Sequence, residues 1–173
     1  MQNTPSHRAK STNARLEIGL FGQFTVVLDG KKPVIQGKKG QALLAYLARK
    51  QGREVSRDTL CGLIWGDRAD EQARASLRQA LAQLRKSFAG ADFVLVTTNT
   101  SVSVRLDGVT VDTQIFESAL IAKNDEAAIL ACNGEFLEGF PAVDSEFDRW
   151  LETERAALQA DFVRCLRHEL AKA

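Results

Sequence analysis

SRDTLCGLIWGDRADEQARASLRQALAQLRKSF, residues 56–88, decides how the chain is read. Ser56 is a helix-capping residue type, and Leu60, Leu63 and Ile64 after it recur on one helical face. Gly66 to Ala69 interrupt the pattern as a short turn, and a longer amphipathic run starts at Asp70. On a wheel at about 100° per residue, Leu77, Leu81, Leu84 and Phe88 fall within about 60° of one another, with Ala73 and Ala80 beside them. The opposite face carries Gln72, Ala75, Gln79, Ala82, Gln83 and Lys86, while Arg74, Arg78 and Arg85 line one shoulder. Both carboxylates, Asp70 and Glu71, stand in the first turn, where the helix dipole favours them. Beyond them come cations and no acid, whereas a solvated helix ordinarily interleaves opposite charges four residues apart.

Those residue types suit double-stranded DNA. Arginine offers a planar donor fork to phosphate oxygens or to the O6/N7 edge of guanine, and glutamine matches the N6/N7 edge of adenine. Alanine lets the helix lie close and touch a thymine methyl, and a carboxylate there would repel phosphate. Two helices joined by a glycine-containing turn make a helix-turn-helix, whose second helix enters the major groove.

The flanking sequence supports that frame. Residues 15–37 read as a small antiparallel sheet of about three strands: Leu16, Ile18 and Leu20 alternate, then Phe24, Val26 and Leu28, then DG at 29–30 turns into a short VIQ strand. From Lys38 the period becomes helical, with Leu43, Leu44 and Leu47 on one face and Gly52 as the closing glycine. Lys38 and Lys39 at its start serve either as phosphate contacts or as solvated charges. FVLVTT and SVSVRL form a second hairpin, a wing after the third helix, whose polar tip carries Thr98 and Asn99 and whose second run continues to Arg105. From Val111 onward the chain reads as three helices, the last with Phe147, Leu151, Leu158, Phe162, Leu166 and Leu170 along one side.

The formal charge of +1 conceals a division: residues 1–90 hold 16 Lys/Arg against 7 Asp/Glu, and residues 91–173 hold 7 against 15. A basic half beside an acidic half implies two modules with different partners, or halves that attract each other. Residues 1–15 read as a disordered basic tail. The 45% hydrophobic content is that of a soluble globular protein, without a bilayer-length apolar run or a secretion signal. Three widely separated cysteines, Cys61, Cys132 and Cys165, imply free thiols and a cytoplasmic setting. Two histidines, His7 and His168, leave no zinc-ligand cluster, and neither a metal nor a cofactor is expected.

Residues 16–108 resemble the OmpR/PhoB-type winged helix, in which an N-terminal sheet precedes the first helix. The wording LIWGDRADEQARASLRQALAQLRK and QALLAYLARKQGREVSRDTL is similar to the antibiotic-regulatory-protein (SARP) branch of transcriptional regulators. In that family a helical bacterial transcriptional activator domain follows, and GEFLEGF and FDRWLETERAAL resemble its opening. The resemblance implies an α+β fold: a winged helix-turn-helix over 16–110 with a C-terminal hairpin wing, then a small all-α, TPR-like activator-type domain over 111–173, shortened relative to the family. It implies that Arg74, Ser76, Arg78, Gln79, Gln83, Arg85 and Lys86 contact DNA and that the protein activates transcription, with RNA polymerase touched through Gly66 to Ala69 as one role for that turn. Two departures stand out. The tip TTNTS lacks the arginine that response-regulator relatives often offer to the minor groove, and the short helical part implies either a truncated chain or a homodimer that buries the last helix's stripe. No receiver domain precedes the winged helix, so phosphorylation control is not expected.

Catalysis finds little support. GKKG at 37–40 lacks the spacing of a phosphate loop, Ser56 has no histidine near it in sequence, and the carboxylates of DSEFDRWLETE suit the wet face of a helix. Trp65 and Trp150 read as packing aromatics. The expected function is sequence-specific, double-stranded DNA binding by a transcriptional regulator. The alternative is a protein–protein interaction module whose basic half binds an acidic partner; nonspecific RNA binding is disfavoured by the lack of stacking aromatics on the strands.

Overall fold

The computed structural model describes residues 15–172 other than 90, 92 and 93, so the expected basic tail lies, apart from Arg15, outside the described residues. Strands β1 (Leu16–Gly19) and β2 (Thr25–Leu28) pair antiparallel, with Leu16 opposite Leu28. At their open end Asp29 and Gly30 both take positive φ, 49° and 77°, the geometry of a two-residue hairpin turn. Its reciprocal Leu28–Lys31 hydrogen bonds of 2.7 and 2.9 Å close the turn, but the returning chain pairs only at Lys31.

The third strand of this sheet is not the expected VIQ segment. It comes from much later: β6 (Val109–Val111) lies parallel to β1, in the order β2-β1-β6. Pro33 lacks the N–H that a ladder needs, and in VIQ only Ile35 is buried while Val34 stands exposed. Strand β6 runs across position 110, where the sequence reading divides the chain, so the winged part and the helical part share a sheet. Asp112 fixes the join: its carboxylate accepts hydrogen bonds from the backbone N–H groups of Leu20, Phe21 and Thr113 at 2.7–2.9 Å. Burial pushes the Asp112 carboxyl above its usual range, although these donors pull the other way.

Helices α1 (Lys38–Arg49), α2 (Arg57–Trp65) and α3 (Asp70–Ser87) stand where the periodicity puts them. Ser56 caps α2, its Oγ accepting from the Thr59 N–H at 3.0 Å. The core stripe of α3 is buried as expected at Ala73, Leu77, Ala80, Leu81 and Leu84, packed on α2 and α1. Each buried leucine contributes roughly 1.5–3 kcal/mol, so this stripe alone fixes how the helix is rotated. The wing is a three-stranded sheet, β3-β5-β4, from Val55–Ser56, Ser101–Val104 and Leu95–Thr97; the two residues just before α2 supply its third strand, β3.

Three helices follow, α4 (Asp112–Ile121), α5 (Asp125–Ala131) and α6 (Ser145–Lys172). The segment between α5 and α6 is a structural part of the N-terminal sheet's edge: Phe136 bridges Phe21, Gly22 N–H donates to the Glu135 carbonyl at 2.8 Å, and Phe136 and Leu137 are buried. A Cβ on Gly134 would come within 2.8 Å of the Gly22 Cα, which is why this crossing takes glycine. Arg155 of α6 donates to the carbonyls of Phe136 and Leu137 and holds the segment down.

The apolar stripe of α6 is buried at Phe147, Leu151 and Leu158, then shifts to Cys165; Leu166 is half-buried and Leu170 lies exposed. Trp150 packs among Tyr46, Phe136 and Phe147, with ring centroids 4.8–5.8 Å apart, seating α6 against α1. Arg49 of α1 completes the junction, pairing with Glu117 of α4 at 2.7 Å and Glu154 of α6 at 2.9 Å. Cys61 and Cys165 are buried, Cys132 is half-buried, and all three are free thiols. No described helix is long and apolar enough to cross a membrane.

Candidate nucleic-acid interface

The helical part packs through α6 onto α2, with α5 on its other flank, and leaves the outer side of α3 uncovered. Arg74, Arg78, Gln79, Arg85 and Lys86 are all exposed, as are Gln72, Ala75 and Ala82 between them. Alanines at 75 and 82 keep the surface low, and no acid follows Glu71, so a ridge of amide and guanidinium groups projects outward.

Within this ridge the side chains divide. Arg78 and Lys86 make no side-chain hydrogen bond or ion pair among the described residues, so both remain available. Arg74 leans toward α2 and pairs with Asp58 at 3.3 Å, both side chains more than half exposed. Arg85 leans toward the wing and donates to the Thr97 hydroxyl. These two cations therefore flank the ridge, with Arg78 between them.

Two residues expected to contact DNA, one of them placed on the outward face, sit on the opposite shoulder. Ser76 and Gln83 are half-buried. The Ser76 hydroxyl donates to the Gln72 carbonyl at 2.8 Å and accepts from Arg68 at 2.7 Å. Gln83 lies beside the loop before α1, where Ser87 Oγ donates to the Val34 carbonyl at 2.7 Å. The cause is geometric: both residues are closer on the wheel to the core stripe than Gln79 is.

Lys38 and Lys39 do not join the ridge as free cations. Lys38 Nζ donates to the Ala142 carbonyl at 2.6 Å, and Lys39 pairs with Asp67 at 3.3 Å and lies 5.9 Å from the Trp65 ring centre. Arg105 is exposed, but it follows β5 at the base of the wing, its N–H bonded to the Val94 carbonyl, away from the tip at Thr98–Thr100.

The wing tip is built by Thr98, whose hydroxyl accepts from the N–H groups of Ser101 at 2.9 Å and Thr100 at 3.2 Å. Asn99 stands exposed at the apex. Arg57 is a residue at the tip that periodicity does not point to. This first residue of α2 donates from Nε to the Thr98 carbonyl at 2.9 Å and from its backbone N–H to the Thr100 carbonyl at 2.9 Å, tying the tip to the helix-turn-helix. The signal for it was present, a cation directly after the capping Ser56. Between α2, α3 and the tip opens a polar cleft of about 610 Å³, onto which Arg57, Arg74, Arg78 and Asn99 converge.

The charge division is only slightly consumed internally. Among the described residues, every ion pair between the basic half and the acidic half is made by Arg49 of α1, with Glu117 and Glu154. The α3 cations are not answered by the molecule's own acidic end. Among those residues, too, no group of three or more His, Cys, Asp or Glu is placed to hold a metal ion.

Residues 31–103 match the family model described as "Transcriptional regulatory protein, C terminal". The chain is 37% identical over 78 residues to the transcriptional regulatory protein EmbR of Mycobacterium bovis and of Mycobacterium tuberculosis, a span of 44% of this chain and 20% of those relatives. The solved structure of Mycobacterium tuberculosis EmbR in complex with a low affinity phosphopeptide superimposes with a TM-score of 0.69 at 27% identity, covering 88% of this chain and 44% of that one. The chain therefore spans less than half the length of the relatives it matches.

Proposed function

We propose that this chain, a SARP-type transcriptional regulator with an OmpR/PhoB-type winged helix, binds promoter DNA sequence-specifically by laying α3 in the major groove. Regulators of this family bind DNA; the groove, the contacts and the activating role are our reading. The observation that carries it is the uncovered outer side of α3, cationic and amide-bearing, free of acids after its first turn. Arg78 and Gln79, central and exposed, read base edges. Arg74, Arg85 and Lys86 meet phosphate oxygens, Arg57 and Asn99 hold the second backbone at the wing, and Ser76 and Gln83 position the helix more than they touch bases. Lys38, Lys39 and Arg105 are left at most peripheral phosphate contacts. The helical part, seated firmly on α1 and α2, presents its acidic surface to RNA polymerase or to a second copy, and transcription is activated.

The reading makes a quantitative demand. A protein neutralising about five phosphates loses affinity by a few orders of magnitude as salt rises from about 50 to 200 mM. Arg78→Ala or Gln79→Ala should lower discrimination between sites by about 1–3 kcal/mol, while Lys86→Ala should weaken all duplexes alike. Equal affinity for a preferred duplex and its scrambled version, unchanged by Gln79→Ala, would instead favour the interaction-module alternative.

A further inference from the structure

The cleft between α2, α3 and the wing tip holds one feature at odds with a phosphate seat. Among the residues lining it, Asp58 is the one carboxylate, placed between Arg57 and Arg74. Its Oδ1 lies 3.3 Å from Arg74 Nη2, with side-chain exposures of 80% for the acid and 57% for the arginine. Its place in the first turn of α2 accounts for a favourable interaction with the helix dipole, but Ser56 already caps that helix, so the fold does not depend on this acid.

We propose that Asp58 is a built-in competitor for Arg74, which weakens indiscriminate DNA binding and so sharpens selectivity. The inference rests on the DNA-binding reading given above. An exposed pair of this kind has almost no net stability, so it opens readily. What opposes opening is that a phosphate seated against Arg74 must also lie close to the Asp58 carboxylate. Two like charges a few ångströms apart in water repel by about fivefold in an equilibrium constant. On a preferred site, base contacts by Arg78 and Gln79 fix the register of the helix, so that the phosphate at Arg74 is held clear of the carboxylate and the repulsion is relieved. On any other duplex, binding relies on phosphates alone, and the repulsion is felt in full.

The test uses fluorescence anisotropy of the full chain with two labelled duplexes, one selected by the protein from a random pool and one scrambled from it. Asp58→Asn should tighten binding to the scrambled duplex about 3- to 10-fold at low salt and to the selected duplex by less, so that the ratio between them falls. The slope of log affinity against log salt should steepen by about one unit. Arg74→Ala should weaken binding to the scrambled duplex in both backgrounds, but by less in the wild type than in Asp58→Asn, where it removes most of the gain. If Asp58→Asn leaves both affinities within twofold or weakens both, or if Arg74→Ala costs the same in either background, the proposal is overturned. Should Asp58→Asn melt early, Asp58→Ser, which keeps a residue suited to a helix start, carries the same comparison. Arg78→Ala, measured on the same duplexes, separates the two levels: its loss of affinity upholds the DNA reading even if Asp58 proves inert, and its silence removes that reading itself.

Discussion

Arg49 offers the sharpest test of how the helical part is attached. Its side chain is 12% exposed, and it answers Glu117 at 32% and Glu154 at 22% exposure. Burial works against the guanidinium charge, yet the hydrogen bonds and charges of Glu117 and Glu154 outweigh it and hold the group above its ordinary value. At an effective dielectric of about 20, each contact near 4 Å or closer corresponds to about 4 kcal/mol of Coulomb attraction, most of it offset by desolvation. Removing Arg49 leaves two half-buried carboxylates facing each other across the junction. Discounting for their remaining access to water, Arg49→Ala should lower stability by about 2–3 kcal/mol, or about 4–12 °C in Tm for a chain of this size. Arg49→Lys should recover only part, since a single ammonium cannot fork between two acids. Urea unfolding followed by circular dichroism measures the difference. A loss below about 0.5 kcal/mol for Arg49→Ala would refute the claim that this residue joins α1, α4 and α6.

Two further outcomes follow from buried groups. Trp150 Nε1 is buried and has no hydrogen-bond partner among the described residues, so Trp150→Phe should be neutral or slightly stabilising, while Trp150→Ala should cost about 3–5 kcal/mol from the lost packing on Tyr46, Phe136 and Phe147; chemical denaturation of the two variants checks the contrast. Burial pushes the thiols of Cys61, Cys132 and Cys165 upward, so each holds less thiolate at pH 7–8 than a free cysteine, and a disulfide reagent should label the native protein far more slowly than the unfolded chain, with half-buried Cys132 first. Fast labelling of all three in the native state would contradict the packing of α2, α5 and α6.

How legible this architecture is depends on whether a residue's signal is local. Ser56, Gly52 and the leucine spacing of α3 announce their helices because capping and amphipathicity are written within a few positions. Strand β6 leaves no such mark: three residues pairing with β1 about ninety positions earlier look like the end of a hairpin. The VIQ segment shows the converse, a β-prone run that Pro33 prevents from joining the sheet. The segment from Asn133 to Pro141, with its glycines and proline, carries no periodic pattern to announce it, although Phe136 and Leu137 are core. At the interface, periodicity finds the exposed ridge but not the partners of its flanks. That Arg74 meets Asp58, that Arg85 meets Thr97, and that Lys38 turns to Ala142 depend on neighbours brought in from other elements. Arg57 carries no local signal of its contact for the same reason, since its partner is a wing tip forty-one residues away.

The most direct measurement is selection of bound duplexes from a random pool by the full chain, repeated with Gln79→Ala and Arg78→Ala. A short motif should emerge with the wild-type protein, and each variant should lose preference at a different base position within it. A pool that stays random after repeated rounds, or a motif that both variants reproduce unchanged, would contradict base reading by α3.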